Sequence, residues 1–153
     1  RKTILAASGS FESITNEVKL KRPFNFLSFF RKKIKAQKSF TKFPNPHLNT
    51  SSFMIYSNDF TNYISNKKFK IKYDTWKIES GFNSLTNYFK RKKFSLLVVN
   101  SEGAKFDEKK WMLSKTYYYQ NQSKTIISDK HSRKYLKLTK VKRKEAQKSV
   151  WGF

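Results

Sequence analysis

Few residues in this 153-residue sequence have the type and spacing that catalysis or metal binding requires. His47 and His131 are its two histidines, 84 positions apart in polar surroundings, without the clustered partners of a metal site or a general base. The carboxylates Glu12, Glu17, Asp59, Asp74, Glu79, Glu102, Asp107, Glu108, Asp129 and Glu145 are dispersed, and most have a lysine nearby. Asp107 and Glu108 adjoin Lys109 and Lys110, the pattern of surface ion pairs rather than of an acid/base couple. Gly9, Gly81, Gly103 and Gly152 are too far apart to make a phosphate-cradling loop. With no cysteine, thiol catalysis, thiolate metal sites and disulfides are excluded. No enzyme activity, metal, cofactor or small-molecule substrate is expected.

The chemistry that remains is cationic and aromatic. Lys and Arg number 34 against 10 Asp and Glu, a net charge of +24. Self-repulsion of that size destabilises a compact isolated fold, so a polyanion is expected in the native state. The cations cluster at Arg31-Lys32-Lys33, Lys67-Lys68-Phe69-Lys70, Lys90-Arg91-Lys92-Lys93-Phe94, Lys109-Lys110-Trp111 and from Lys140 to Lys148, where Lys142 and Arg143 fall. Such groups neutralise phosphates and release counterions without reading sequence. Tyr117, Tyr118 and Tyr119 are candidates for stacking on unpaired bases, which favours folded RNA over a uniform duplex. On a strand, alternate side chains point to opposite faces, so at least one of the three is expected to meet a partner. Lys124, Arg133 and Lys134 complete the expected phosphate contacts.

The elements that must position these residues fall into two parts. Residues 1–66 carry a net charge of +8 and residues 67–153 one of +16. In the first part, Phe11, Ile14 and Val18 recur at helical spacing after the cap candidate Ser10, with Pro23 as the stop. A second helix would align Phe26, Phe30 and Ile34, and Phe43-Pro44-Asn45-Pro46 then breaks the chain. The Asn/Ser-rich stretch to Asn66 is expected to be extended and ordered by partners. In the second part, Phe69, Ile71 and Tyr73 alternate with lysines as a strand would, and Ser80 is the cap candidate for a helix carrying Phe82, Leu85, Tyr88 and Phe89. Phe94 to Val99 reads as a buried strand followed by a turn at Asn100 to Gly103. Lys110 to Tyr119 and Lys134 to Val141 read as two further strands. The expected fold is therefore α+β: a small split β-α-β-β (ferredoxin-like) domain over 67–142, a long basic, aromatic-rich N-terminal extension over 1–66, and a basic tail over 143–153.

Residues 67 to about 140 resemble the universal small-subunit ribosomal protein ten family. The resemblance rests on the basic strand Phe69 to Tyr73, the helix Phe82 to Lys93 with its basic end, and Val98-Val99 before a turn. It continues with Glu108-Lys109-Lys110 before Trp111-Met112-Leu113, Ser123-Lys124 in the loop, and Arg133 to Leu138. A second registration sets Asp129-Lys130-His131-Ser132-Arg133 against the family's Asp-Lys-x-Ser-Arg. The resemblance implies a split β-α-β-β fold whose long loop reaches into ribosomal RNA.

With 28 Lys, 15 Phe and 11 Asn against 5 Ala and 4 Gly, the composition favours residues with AT-rich codons, as in organelle genomes and a few protist nuclear genomes. The expected function is a structural constituent of the mitochondrial ribosome, in its small subunit, with ribosomal RNA and neighbouring ribosomal proteins as partners. The alternative is a supernumerary subunit of a mitochondrial membrane complex, whose basic, aromatic stretch Pro23 to Phe40 lies on an anionic lipid surface. The apolar runs Phe26 to Phe30 and Leu96 to Val99 are too short to cross a bilayer, so no transmembrane segment is expected. The chain starts at Arg1 rather than Met, as a processed leader or an incomplete sequence would.

Overall fold

Thr3, Ile4, Leu5 and Ala6 alternate between half-buried and buried, and they form strand β1 (Thr3–Ala6) in the computed structural model, which describes residues 2–17 and 26–152. The apolar run Ser95–Val99 forms β5, parallel to β1 in the register Thr3↔Ser95 through Ala6↔Val98. β4 (Phe53–Met54) pairs antiparallel with β1, and β6 (Lys105–Phe106) antiparallel with β5. The sheet order is thus β4-β1-β5-β6, with β2 (Gly9–Ser10) and β3 (His47–Leu48) in a separate two-stranded sheet. Ile4, Ala6, Leu96 and Val98 are buried, whereas Leu5, Leu97 and Val99 point to the other face and are half-buried. The core is completed by Leu48, by Leu85 and Phe89 of α5 (Leu85–Arg91), by Trp111 of a 3-10 helix (Glu108–Ser114), and by Val150 and Trp151.

The remaining helices are α1 (Ile14–Glu17), α2 (Phe26–Gln37), α3 (Ser57–Ile64), α4 (Lys72–Ser80), α6 (Lys130–Leu136) and α7 (Lys140–Trp151). At the starts of α5, α6 and α7 a side chain satisfies a free N–H group of the first turn. Ser84 caps α5, Thr139 caps α7, and Asp129 caps α6 by accepting from Ser132 N at 2.7 Å. The Ser132 hydroxyl in turn accepts from Asp129 N at 2.8 Å.

An α+β fold is what the sequence predicts, but the split β-α-β-β arrangement is not what forms. The expected strand Phe69 to Tyr73 gives way to α4, because the Asp74 carboxylate accepts the N–H groups of Lys70 at 3.1 Å and Ile71 at 3.2 Å and opens a helix instead. Ser80 ends α4 rather than capping the next helix, a role that Ser84 takes. The expected strand Lys110 to Tyr119 is the 3-10 helix and a turn-rich loop, with Lys115, Tyr118, Gln120 and Gln122 at positive φ. The expected strand Lys134 to Val141 is divided between α6 and α7 by the two caps. Nor does a boundary at residue 66 separate an extension from a domain: β1 lies inside the sheet between β4 and β5, and α3 occupies the segment expected to be extended. The helix over Phe26 to Ile34 is present as α2. Of the first expected helix, Ile14–Glu17 is helical among the described residues and Phe11 precedes it, while Val18 and the Pro23 stop lie outside the described residues.

Candidate nucleic-acid interface

One gathering of cations is built by close approach of two helix ends. Phe40 bridges Gly81, and Phe82 N donates to Ser39 O at 3.0 Å. Gly81 eases this approach, because a Cβ there would lie 3.1 Å from the Ser39 carbonyl oxygen and, within its own chain turn, 2.6 Å from that of Lys77. The end of α2 is thereby held beside the end of α4. Between them lies a depression of about 300 Å3 into which Lys38, Lys67, Lys68 and Lys77 face, with Phe82 and Asn83 on its wall. Phe82 is 46% exposed, an aromatic surface among ammonium groups. Lys38 and Ser39 also border a neighbouring depression with Arg31, Ile34 and Lys35, so the basic surface runs on along α2.

Not every cation here is equally available. Lys77 pairs with Asp74 at 2.8 Å, which also holds that carboxyl below its ordinary range. Lys67 reaches Asn83 O at 3.4 Å and stands 4.3 Å above the Tyr63 ring; desolvation lowers its ammonium pKa. Arg91 donates to Phe82 O and Asn83 Oδ1, steadying the turn on the rim. Lys38 and Lys68 are exposed. Lys38 and Lys77 were not among the residues expected to bind RNA. They are single cations in sequence, and only the folding of α2 against α4 brings them to Lys67 and Lys68.

The other expected contacts are distributed around the molecule. Arg31, Lys32 and Lys33 are exposed on α2, Lys109 and Lys110 on the 3-10 helix, Lys134 on α6 and Lys142 on α7. Lys70 and Lys93 are exposed beside α4 and after α5, and Lys92 stands 4.7 Å from the Tyr88 ring centre. Lys90 pairs with Glu108 at 2.7 Å, and Lys124 pairs with Glu102. Arg133 donates to Ser128 O at 2.8 Å. Arg143 is spent within the fold: its guanidinium donates to Leu136 O, Leu138 O and Asn121 Oδ1 and lies over the Tyr135 ring. Tyr117 and Tyr118 do not alternate as on a strand but stack on each other at 4.3 Å, and Tyr118 stacks on buried Tyr135 at 4.7 Å. The tight loop that replaces the strand turns both rings the same way. Tyr119 is half-buried.

On the opposite face of α4 is a second, chemically different cleft. Asp74, Lys77 and Ile78 look into the basic depression, whereas Lys72, Trp76, Glu79 and Ser80 line a cleft of about 550 Å3. The 3.6-residue helical repeat separates the two sets. His47 and His131, far apart in sequence, both reach this second cleft, as do Glu12, Asp129, Tyr117 and Tyr118. His47 is buried, and its Nδ1 meets Asn45 O at 2.8 Å. Burial lowers its pKa, against the opposing effects of that hydrogen bond and of Glu79, so the ring is held toward its neutral form. The carboxylates are held by neighbours: Glu79 Oε1 accepts from Thr50 N and Oγ1, Asp129 Oδ1 from Ser132 N, and Glu12 Oε2 from Ser10 Oγ. Among the described residues, no group of three or more His, Asp or Glu side chains is arranged to hold a metal ion.

No family model, curated protein or solved structure matches the chain.

Proposed function

We propose that this chain is a structural, non-catalytic RNA-binding protein of a ribonucleoprotein particle, and specifically a constituent of a mitochondrial ribosome in its small subunit. The observation that carries the RNA-binding part is the convergence of Lys38, Lys67, Lys68 and Lys77 on one depression beside exposed Phe82, in a chain of net charge +24. Four ion pairs form among the described residues, so most of the cations have no carboxylate to neutralise them. Phosphates supply that neutralisation, and the aromatic surface suits unpaired bases. The ribosomal and mitochondrial part is supported by the AT-biased composition and by the motif resemblance over residues 67 to 140, although the topology of that segment differs from the one the resemblance implies.

The test is twofold. Purified protein is expected to bind structured RNA with an affinity that falls steeply as salt rises, and the native chain is expected to sediment with ribosomal particles. Salt-insensitive or absent RNA binding overturns the first part; a native chain that stays clear of such particles overturns the second.

One feature favours a second reading. On α2, Phe26, Leu27, Phe30 and Ile34 are exposed on one arc, flanked by Arg31, Lys33 and Lys38. That is the pattern of a helix lying in an anionic membrane surface, as in a subunit of a membrane complex. Among the described residues, no helix is long and apolar enough to cross a membrane. Flotation of RNA-free protein with anionic vesicles favours this second reading over the first.

A further inference from the structure

The cleft on the far side of α4 has a lining that phosphate contacts do not explain. Carboxylates from distant parts of the chain meet there, in a protein that has few of them. Among hydroxyl and amide side chains that can donate or accept, the cleft gathers groups that only accept. The His47 Nδ1–H donates to Asn45 O, so in the neutral ring the Nε2 lone pair is what the imidazole offers the cleft. Glu79 commits Oε1 to Thr50, leaving Oε2, and Asp129 commits Oδ1 to Ser132, leaving Oδ2. Beside these acceptors stands the Trp76 indole, 39% exposed, with the Lys72 ammonium 5.5 Å from its ring centre. A volume of about 550 Å3 admits one nucleoside and is within the range of ordinary ligand clefts.

We propose that this cleft takes a single unpaired nucleobase whose pairing edge is rich in hydrogen-bond donors, guanine above all, turned out of an RNA strand that lies on the basic side of α4. The inference rests on the RNA-binding reading above and adds to it a base preference. The Glu79 and Asp129 carboxylates and the His47 Nε2 disfavour a phosphate at the inner end of the cleft and match the N1–H and N2 amino hydrogens of guanine, neighbouring donors on its pairing edge. Uracil offers one donor between two acceptors, and adenine and cytosine offer only their amino groups. Single-stranded RNA is read in this way, by stacking a splayed base on an aromatic ring and bonding its pairing edge. Lys72 at Trp76 is placed to meet the phosphate of the inserted nucleotide. Helix α4 is about 10 Å across with its side chains, comparable to the reach from a nucleotide's phosphate to its base edge. One helix can therefore separate backbone contacts on the Lys77 side from base contacts on the Glu79 side. A free cation or polyamine fits the carboxylates but has to approach against the charge of the whole chain.

The experiment uses the full chain and fluorescently labelled oligouridylates that carry one central guanosine, inosine, adenosine or uridine. Anisotropy titrations are run at a salt concentration where all of them bind. Guanosine is expected to bind roughly tenfold or more tightly than uridine, with inosine, which lacks the N2 amino group, in between. Glu79→Gln is expected to abolish the preference of guanosine over uridine, with the local fold kept because Gln Oε1 still accepts from Thr50. Trp76→Leu, on an exposed position, serves as the second variant should the first fail to fold, and it is expected to weaken guanosine binding most. Equal affinities for the four oligomers overturn the base pocket while leaving RNA binding intact. Absence of salt-dependent binding to any of them overturns the RNA-binding reading itself. Displacement of the guanosine oligomer by free GMP at the oligomer's own dissociation constant shows that the cleft serves a free nucleotide and overturns the strand-bound base. Displacement by spermidine without any guanosine preference overturns the nucleobase in favour of a cation.

Discussion

Gly9 lies flat against Trp111: a Cβ at Gly9 would stand 2.8 Å from Trp111 Cε3, 3.1 Å from Cδ2 and 3.2 Å from Val98 Cγ2. Strand β2 thus runs directly over the indole that fills the core beneath the sheet, and Phe11 packs on the same ring at 6.2 Å. Gly9→Ala is expected to destabilise the fold by about 1–3 kcal/mol, the range for overpacking a filled core, measured as a shift in the urea midpoint at constant slope. Trp111 Nε1 is buried without a hydrogen-bond partner, so Trp111→Phe removes no bond there. In the double variant the smaller ring is expected to recover part of the Gly9→Ala loss. Strict additivity of the two changes would show that they do not meet.

The basic depression makes a quantitative claim about salt. Lys38→Gln with Lys68→Gln is expected to weaken binding to structured RNA and to reduce the slope of log K against log salt by roughly 0.7–0.9 for each phosphate that is no longer neutralised. Lys77→Gln is expected to do less, because Lys77 already shares its charge with Asp74. A double variant with an unchanged slope would place the phosphates elsewhere.

Arg143 separates folding from binding. Its guanidinium ties Leu136 and Leu138, at the end of α6, to Asn121 and covers Tyr135. Arg143→Lys keeps the charge but loses the planar fork, and is expected to cost about 1–3 kcal/mol of stability. The RNA salt slope should stay as it is. Lys144→Gln, one residue on and exposed, is expected to leave stability within about 0.5 kcal/mol. Urea titrations beside anisotropy measurements distinguish the two effects.

His47 couples stability to pH. Its folded pKa is lowered, chiefly by burial, from the ordinary value of 6.5. Below that value the unfolded chain takes up a proton that the folded chain resists, so the His47 contribution is complete above it. It is lost progressively as pH falls toward the folded pKa. Between about pH 7.5 and about pH 5.5, stability is expected to fall by at most about 1.4 kcal/mol per pH unit from this group. Glu79 works in the opposite direction and limits the effect. In His47→Gln the dependence over this interval is expected to flatten; an unchanged dependence would assign it to other groups.

Local sequence signals served well where a short segment decides its own structure. The run Ser95–Val99 is a strand because an apolar, β-branched stretch between turns has few alternatives, and α2 follows from its own periodicity. They misled where alternation and capping competed. Phe69 to Tyr73 alternates like a strand, yet the Asp74 carboxylate gathers the N–H groups ahead of it and starts a helix. Asp129 and Thr139 do the same for the residues from Lys130 to Trp151.

By itself the sequence determined the charge, the absence of thiol chemistry, the α+β class and most of the cations on the surface, because each of these depends on composition or on a single segment. The tertiary structure alone decided that residues 3–6 are an inner strand, that Lys38 and Lys77 join Lys67 and Lys68, and that His47 meets Glu79 and Asp129 across one cleft. Those outcomes rest on contacts between segments dozens of residues apart, chiefly the parallel pairing of β1 with β5 and the approach of α2 to Gly81. Pairings at such separation leave no periodicity in the chain. They arise only when burial of Ile4, Val98, Phe40 and Trp111 is solved for the whole molecule at once.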